Sequence, residues 1–241
     1  MKLKVIGSSS SGNCYLLENR KECLILEAGI DPKKILLNIE KVVGCLITHE
    51  HKDHCKYTEY LKKMAINIYA SKGTIEVAGL HGHRIKEIKA LNKYHIGNFI
   101  VLPFNVKHDA KEPLGFLIKH PDMGTLLFVT DTYYIENRFS DLNHIMIECN
   151  YDNEILSENM MQGKIPKVVR DRTLASHMSM ETCINFLKNN DLTNVYNIVL
   201  IHLSSQNSNK KMFQEVISRE TNKEVYIAFP KLEIELNSDI F

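Results

Sequence analysis

Residues 45–56 read CLITHEHKDHCK and place His49, His51, Asp53 and His54 within six positions, directly after an apolar, β-branched run. Neutral imidazole and carboxylate are the usual donors to Zn²⁺ and its first-row neighbours. His49 and His51 are two apart, so they share a face on extended backbone and would point apart on a helix. Asp53 and His54 follow as the chain turns, giving enough donors for two adjacent ions. The helical H-E-x-x-H arrangement is excluded, because Asp53 stands where its second histidine would be. A solvated loop that is merely rich in histidine is the bland alternative, and H-x-H-x-D-H after a buried strand argues against it.

Such donors need rigid elements to hold them. Short apolar runs predict strands at 2–6, 14–18, 22–28, 42–48, 66–70, 99–104, 115–120, 125–130, 144–150, 197–203, 225–229 and 231–236. Helical patterns fall at 31–39, 55–64, 152–161, 179–190 and 209–221. Asp31-Pro32 predicts a capped helix start, and Ser179 with Thr182 a second. Strands come first in hairpin-like groups and then mix with helices. That order suits sheet packed on sheet with helices outside, an α+β class, better than a doubly wound parallel sheet. The stretch GSSSSGNC (7–14) lacks the G-K-[ST] ending of a phosphate loop and precedes a strand, so it is read as a tight strand connection.

The chain has 241 residues, 44% hydrophobic and 24% charged, and a formal net charge of +1. It holds enough apolar material for one large core, and one domain over 1–241 is the economical expectation. The charge argues against a generally basic nucleic-acid-binding surface. Six cysteines with no C-x-x-C pair lie largely in apolar runs, which points to reduced thiols and a cytoplasmic setting. The apolar stretch in MKLKVIGSSS is too short for a signal peptide, and no run is long enough to span a bilayer, so no membrane association is expected.

THEHKDH resembles the signature loop of the metallo-β-lactamase superfamily. Further matches follow in order: VKHDA with His108, FVTDT with Asp131 and LIHLS with His202. The resemblance implies an αββα four-layer sandwich of two mixed β-sheets flanked by helices, with a dinuclear site. It implies two divalent ions per chain, Zn²⁺ or Mn²⁺. One would take His49, His51 and His108, the other Asp53, His54 and His202, with Asp131 bridging. Such a centre stays cationic and suits an anionic substrate group such as phosphate.

The C-terminal third is similar to tRNase Z-type members, in which His177 matches a histidine that is not a ligand and Glu148 the acid that orients it. His177, Glu148 and Asp53 are the candidate catalytic residues that this likeness implies. Over nearly the whole chain the resemblance is to the WalJ/YycJ-like branch, through GSSSSGNCYLLE, the TDT motif, E-x-NYD and a final HLS. It implies phosphodiester hydrolysis of nucleic acid, DNA in particular. A metal-bridged hydroxide would attack phosphorus, and His177 would protonate the leaving oxygen. Residues 109–130 leave no room for the tRNA-gripping arm of tRNase Z, nor 132–176 for a β-CASP cap. One departure is Glu27, where the family strand ends in aspartate; a shifted hydrogen bond without loss of a ligand is expected.

Lys164, Lys167, Arg170 and Arg172 lie between the Glu148 and His177 motifs and are candidate phosphate contacts, against the alternative of a solvated face. The H-x-H of residues 81–83 sits among glycines and reads as a surface loop. Two other functions stay open: hydrolysis of a small ester, lactone or thioester, and a metal-containing protein that binds nucleic acid without chemistry.

Overall fold

The computed structural model describes residues 1–35 and 38–237. Fourteen strands and seven α-helices occur among them. The strands are β1 (Lys2–Gly7), β2 (Cys14–Glu18), β3 (Cys23–Leu26), β4 (Val42–Leu46), β5 (Ile68–Ala70), β6 (Ile85–Glu87), β7 (Tyr94–Ile96), β8 (Phe99–Asn105), β9 (Leu114–His120), β10 (Gly124–Val129), β11 (His144–Glu148), β12 (Asn197–Ile201), β13 (Glu224–Ile227) and β14 (Glu233–Glu235). The helices are α1 (Lys52–Cys55), α2 (Thr58–Lys63), α3 (Lys72–Val77), α4 (Asn153–Met161), α5 (Lys167–Ser176), α6 (Met180–Lys188) and α7 (Lys210–Thr221).

They form two mixed seven-stranded sheets, ordered β14-β1-β2-β3-β4-β5-β6 and β13-β12-β11-β10-β9-β8-β7. In the first, β14, β1, β2 and β3 pair antiparallel, while β3 to β6 run parallel. In the second, β10 to β13 run parallel and β7 to β9 antiparallel. This is the metallo-β-lactamase-type architecture. Parallel neighbours matter for function because their carboxyl ends emerge side by side.

The chain divides into two compact units. The first comprises 1–105, 110–125 and 228–241. Here β2 and β3 bury every residue but Glu18, the mark of a sheet covered on both faces. Leu16, Ile25, Cys45, Ile47 and Ile68 pack on one face with Leu61 of α2. The strand pair β7–β8 also meets the first sheet within this unit. A Cβ on Gly97, whose φ is +59°, would fall on Glu22 Oε2 and crowd Val43, so only glycine fits this turn. The second unit comprises 106–109 and 126–227. Its strands β11 and β12 are buried throughout, and Phe213 and Ile217 of α7 join that core.

All twelve sequence-predicted strands are present, and β6 and β7 are additions. The helix expected over 31–39 is a correction. Asp31 does cap a turn, its carboxylate accepting from Lys33 N at 3.0 Å, but the turn is 3₁₀ and covers only Pro32–Lys34, with a second at Ile39–Lys41; Leu36 and Leu37 lie outside the described residues. The helix expected over 55–64 is two short pieces, α1 and α2, interrupted at Tyr57. Ser179 caps α6, its hydroxyl accepting from Thr182 N at 3.1 Å. No helix among the described residues is long and apolar enough to cross a membrane.

Candidate metal centre

In the first unit β3 and β4 are parallel neighbours, so the residues after them emerge together: Glu27 after one, Thr48 and His49 after the other. Glu27 is buried with a φ of +66°, and its Oε1 accepts from Thr48 N at 3.3 Å. Its Oε2 lies 3.6 Å from His54 Nδ1, so the longer carboxylate supports the histidine loop from behind. Thr48 Oγ1 sits 2.9 Å from His49 Nδ1 and fixes that ring. The chain stays extended through His51 and then turns into α1.

Three imidazoles crowd here: His49 and His51 with ring centres 4.6 Å apart, His49 and His54 4.2 Å apart. Asp53 Oδ2 lies 3.3 Å from His54 Nε2. Backbone bonds hold α1 in place, from Asn13 N to Asp53 O at 2.8 Å and from Ala28 N to His54 O at 2.7 Å. This approach is so close that a Cβ on Gly29 would lie 1.7 Å from Asp53 O.

In the second unit β10, β11 and β12 are consecutive parallel strands, and their carboxyl ends deliver Asp131, Glu148 and His202 to one edge. His177 enters as the C-cap of α5, and His108 follows β8. One donor atom each of Asp131, Glu148, His177 and His202 falls within 4.8 Å of the others. His177 Nδ1 lies 2.6 Å from Glu148 Oε1. Glu148 Oε2 accepts from Thr132 N at 2.9 Å and Met178 N at 3.2 Å. With both oxygens engaged, Glu148 is placed to orient a neighbour, while Asp131 accepts from Thr130 Oγ1 at 2.7 Å through Oδ1 and faces His108 through Oδ2.

His108 Nδ1 faces Ser176 O at 2.8 Å, while its Nε2 lies 3.6 Å from Asp131 Oδ2. His202 Nδ1 lies 3.6 Å from Asp131 Oδ1, and its ring stacks on His177 at 5.4 Å. Imidazoles gathered about one buried aspartate match the donor set of a divalent first-row ion.

Burial pushes the His108 pKa down and prevails over the charge of Asp131, so the ring is neutral and fit to ligate. At His177 burial opposes the charged ring, but the charge and hydrogen bond of Glu148 outweigh it and the pKa is raised. Burial likewise penalises the Glu148 carboxylate, and His177 reverses that penalty, so its pKa is lowered. The two shifts are reciprocal: contact between the ring and the carboxylate favours the charged form of each.

Sequence reasoning missed two residues. Asn13, in the loop read as a strand connection, places Nδ2 3.1 Å from His54 Nε2 and 3.3 Å from Asp53 Oδ2. Asn150 donates from Nδ2 to His202 O at 2.8 Å. Only an asparagine two residues after Glu148 offered a signal for the second. Of the four basic candidates, Arg172 Nε bonds Asp109 Oδ2 at 3.1 Å and Arg170 pairs with Asp171 at 2.8 Å. Lys167 opens α5, and Lys164 borders a hollow of about 380 Å³ with Asn159 and Gln206.

Residues 26–203 match the β-lactamase superfamily domain, and the chain belongs to that family, as a hydrolase of the metallo-β-lactamase superfamily. Among characterised proteins it is similar to the exodeoxyribonuclease YycJ of Bacillus anthracis, 28% identical over 91% of this chain and 88% of that one. The exodeoxyribonuclease WalJ of Streptococcus pneumoniae is 30% identical over 88% of this chain and 84% of its own. In fold it is similar to the metallo-β-lactamase fold protein YhfI of Bacillus subtilis, with a TM-score of 0.75 at 16% identity over 97% of this chain and 98% of that one. Human tRNase Z, short form, gives 0.65 at 16% identity over 98% and 99%.

Proposed function

We propose that this protein is a dinuclear metal-dependent phosphodiesterase acting on nucleic acid, DNA first, and that its two units work as one metallo-β-lactamase-type domain over 1–241 without arm or cap. The observation that carries this reading is the His177–Glu148 pair at 2.6 Å, beside the aspartate and histidines of the second unit. A phosphodiester releases a poor leaving group, an alkoxide, and gains from a positioned acid; a thioester does not need one. The exodeoxyribonuclease relatives, matched over most of their length, point to the same substrate class.

His49, His51 and His108 would hold one ion, and Asp53, His54 and His202 the other, with Asp131 shared. Bound there, two Zn²⁺ or Mn²⁺ ions supply an activated solvent nucleophile and neutralise phosphate charge. The remaining steps belong to this chain. Glu148 fixes the His177 ring through Nδ1 and keeps it charged, so the other ring nitrogen can deliver a proton to the departing sugar oxygen. Glu27, Asn13 and Asn150 hold His54, Asp53 and His202 in position. The six free, buried cysteines support a reducing, cytoplasmic setting; burial raises Cys23 to about 12 and Cys55 to about 11, so these thiols stay inert.

Incubation of the purified protein with labelled single-stranded and duplex DNA tests the proposal. Cleavage should stop in EDTA and return with Mn²⁺ or Zn²⁺. Chelator-insensitive binding without cleavage, or turnover confined to small esters, overturns it.

A further inference from the structure

Beside the histidine loop the chain continues as KDHCKYTEYLKK, residues 52–63. Lys56, the C-cap of α1, keeps right-handed helical angles, but Tyr57 leaves the helical pattern and its N bonds Ala28 O at 2.8 Å, so α1 and α2 are two successive short helices. Lys52 and Lys56 are four apart along α1 and its cap, and Tyr60 and Lys63 three apart along α2, so each pair shares a face of its own helix. All four are exposed. The stripe begins at the residue before Asp53 and continues along α2.

The lysines differ in what they face. Lys62 pairs with Glu59 at 2.6 Å and is neutralised. Lys52, Lys56 and Lys63, with exposed Lys33 alongside, carry no carboxylate partner among the described residues. Lys56 Nζ instead lies over the ring of Tyr57 at 5.3 Å, and Lys33 Nζ over Tyr60 at 5.9 Å. A ring face steadies an ammonium group without cancelling its charge. The result is a group of uncompensated cations, two of them steadied by rings, on and beside the segment that also carries Asp53 and His54. In a chain with a net charge of only +1, such a group is a local feature and not a by-product of composition.

We propose that this stripe, Lys52, Lys56 and Lys63 with Lys33, Tyr57 and Tyr60, binds the phosphodiester backbone of a single-stranded nucleic acid and leads it to the candidate metal centre. The proposal rests on the reading of the protein as a nucleic-acid hydrolase and names the surface that grips that substrate. Single strands fit because tyrosines interleave with the cations and offer faces to unstacked bases.

The test measures kcat/KM of the metal-loaded protein on labelled single-stranded DNA and RNA between about 50 and 200 mM salt. In the Lys52→Ala/Lys56→Ala/Lys63→Ala variant, the slope of log kcat/KM against log salt should become shallower by about 2, at about 0.7 per lost phosphate contact. The same loss on DNA or RNA supports the stripe, since the phosphate chemistry is common to both. The variant Lys72→Ala/Lys86→Ala/Lys89→Ala changes the net charge equally and should keep the wild-type slope. An unchanged slope in the stripe variant, or an equal loss in the second, overturns the stripe while wild-type cleavage upholds the hydrolase reading. Wild-type protein that cleaves neither strand with metal bound overturns both.

Discussion

At the scale of single residues the two kinds of histidine should separate on substitution. His177 has its Nδ1 bonded to Glu148 at 2.6 Å, whereas His202 Nδ1 stands between Glu148 Oε1 at 3.4 Å and Asp131 Oδ1 at 3.6 Å. His177→Ala should lower turnover by about 100-fold or more, the range of a lost general acid, while the metal content stays near two ions per chain. His202→Ala should lose one ion as well as activity. Metal analysis by mass spectrometry of both variants, purified alongside wild type, checks the assignment. Loss of metal from His177→Ala would make that residue a ligand. The residue types able to ligate are visible as text, in H-x-H-x-D-H and in the later motifs around His108, Asp131 and His202. The chain could not disclose Asn13, because the contact to Asp53 joins residues 40 apart through a loop with no chemical signature of its own.

At the scale of elements, the short α1 stays in register because Gly29 lets the chain after β3 pass against Asp53 O. Gly29→Ala puts a methyl group into that carbonyl. It should destabilise the protein by about 1–3 kcal/mol, the usual cost of overpacking, and weaken metal affinity by displacing Asp53 and His54. Urea unfolding and metal titration of the variant measure both effects. The strands were legible because apolar, β-branched runs of four to seven residues declare themselves. β6 and β7 were not, being three-residue strands with polar, partly exposed sequences, IKE and YHI. α5 escaped for a related reason: KVVRDRTLAS buries only Ser176, so it lacks the apolar stripe by which a helix is recognised. The 31–39 pattern misled in the opposite direction, as a correct cap with proline at its first position led into a single 3₁₀ turn.

At the scale of the whole molecule, one buried carboxylate ties three hairpins together in the first unit. Glu22 accepts from Asn98 N at 2.9 Å and Asn98 Nδ2 at 2.7 Å, and lies 3.0 Å from His120 Nε2. Burial opposes its charge, but these donors outweigh it, and its pKa is held below the ordinary 4.5. A carboxylate with a depressed folded-state pKa adds stability above its unfolded value and loses it as pH falls through the folded one. Glu22→Gln should therefore cost about 1.5–3 kcal/mol near neutrality. The gap from wild type should close as the solution is acidified below 4.5. Denaturant titrations across that range follow it, and a gap independent of pH would refute the role. His120 and Glu22 are 98 residues apart, a contact no local pattern announces, and only the fold brings them together.

Glu27, Asp131 and His202 all hold left-handed backbone angles, with φ of 66°, 44° and 53°, a region that most side chains avoid, that aspartate and histidine tolerate better than glutamate, and that glycine and asparagine enter most easily. Each stands within two residues of a strand's end and belongs to the candidate metal site or its support. Thermostability is thus a poor guide to improving this enzyme. Selection for heat resistance alone would favour glycine or asparagine at these three positions, relaxing the main chain while discarding the chemistry it was bent to present.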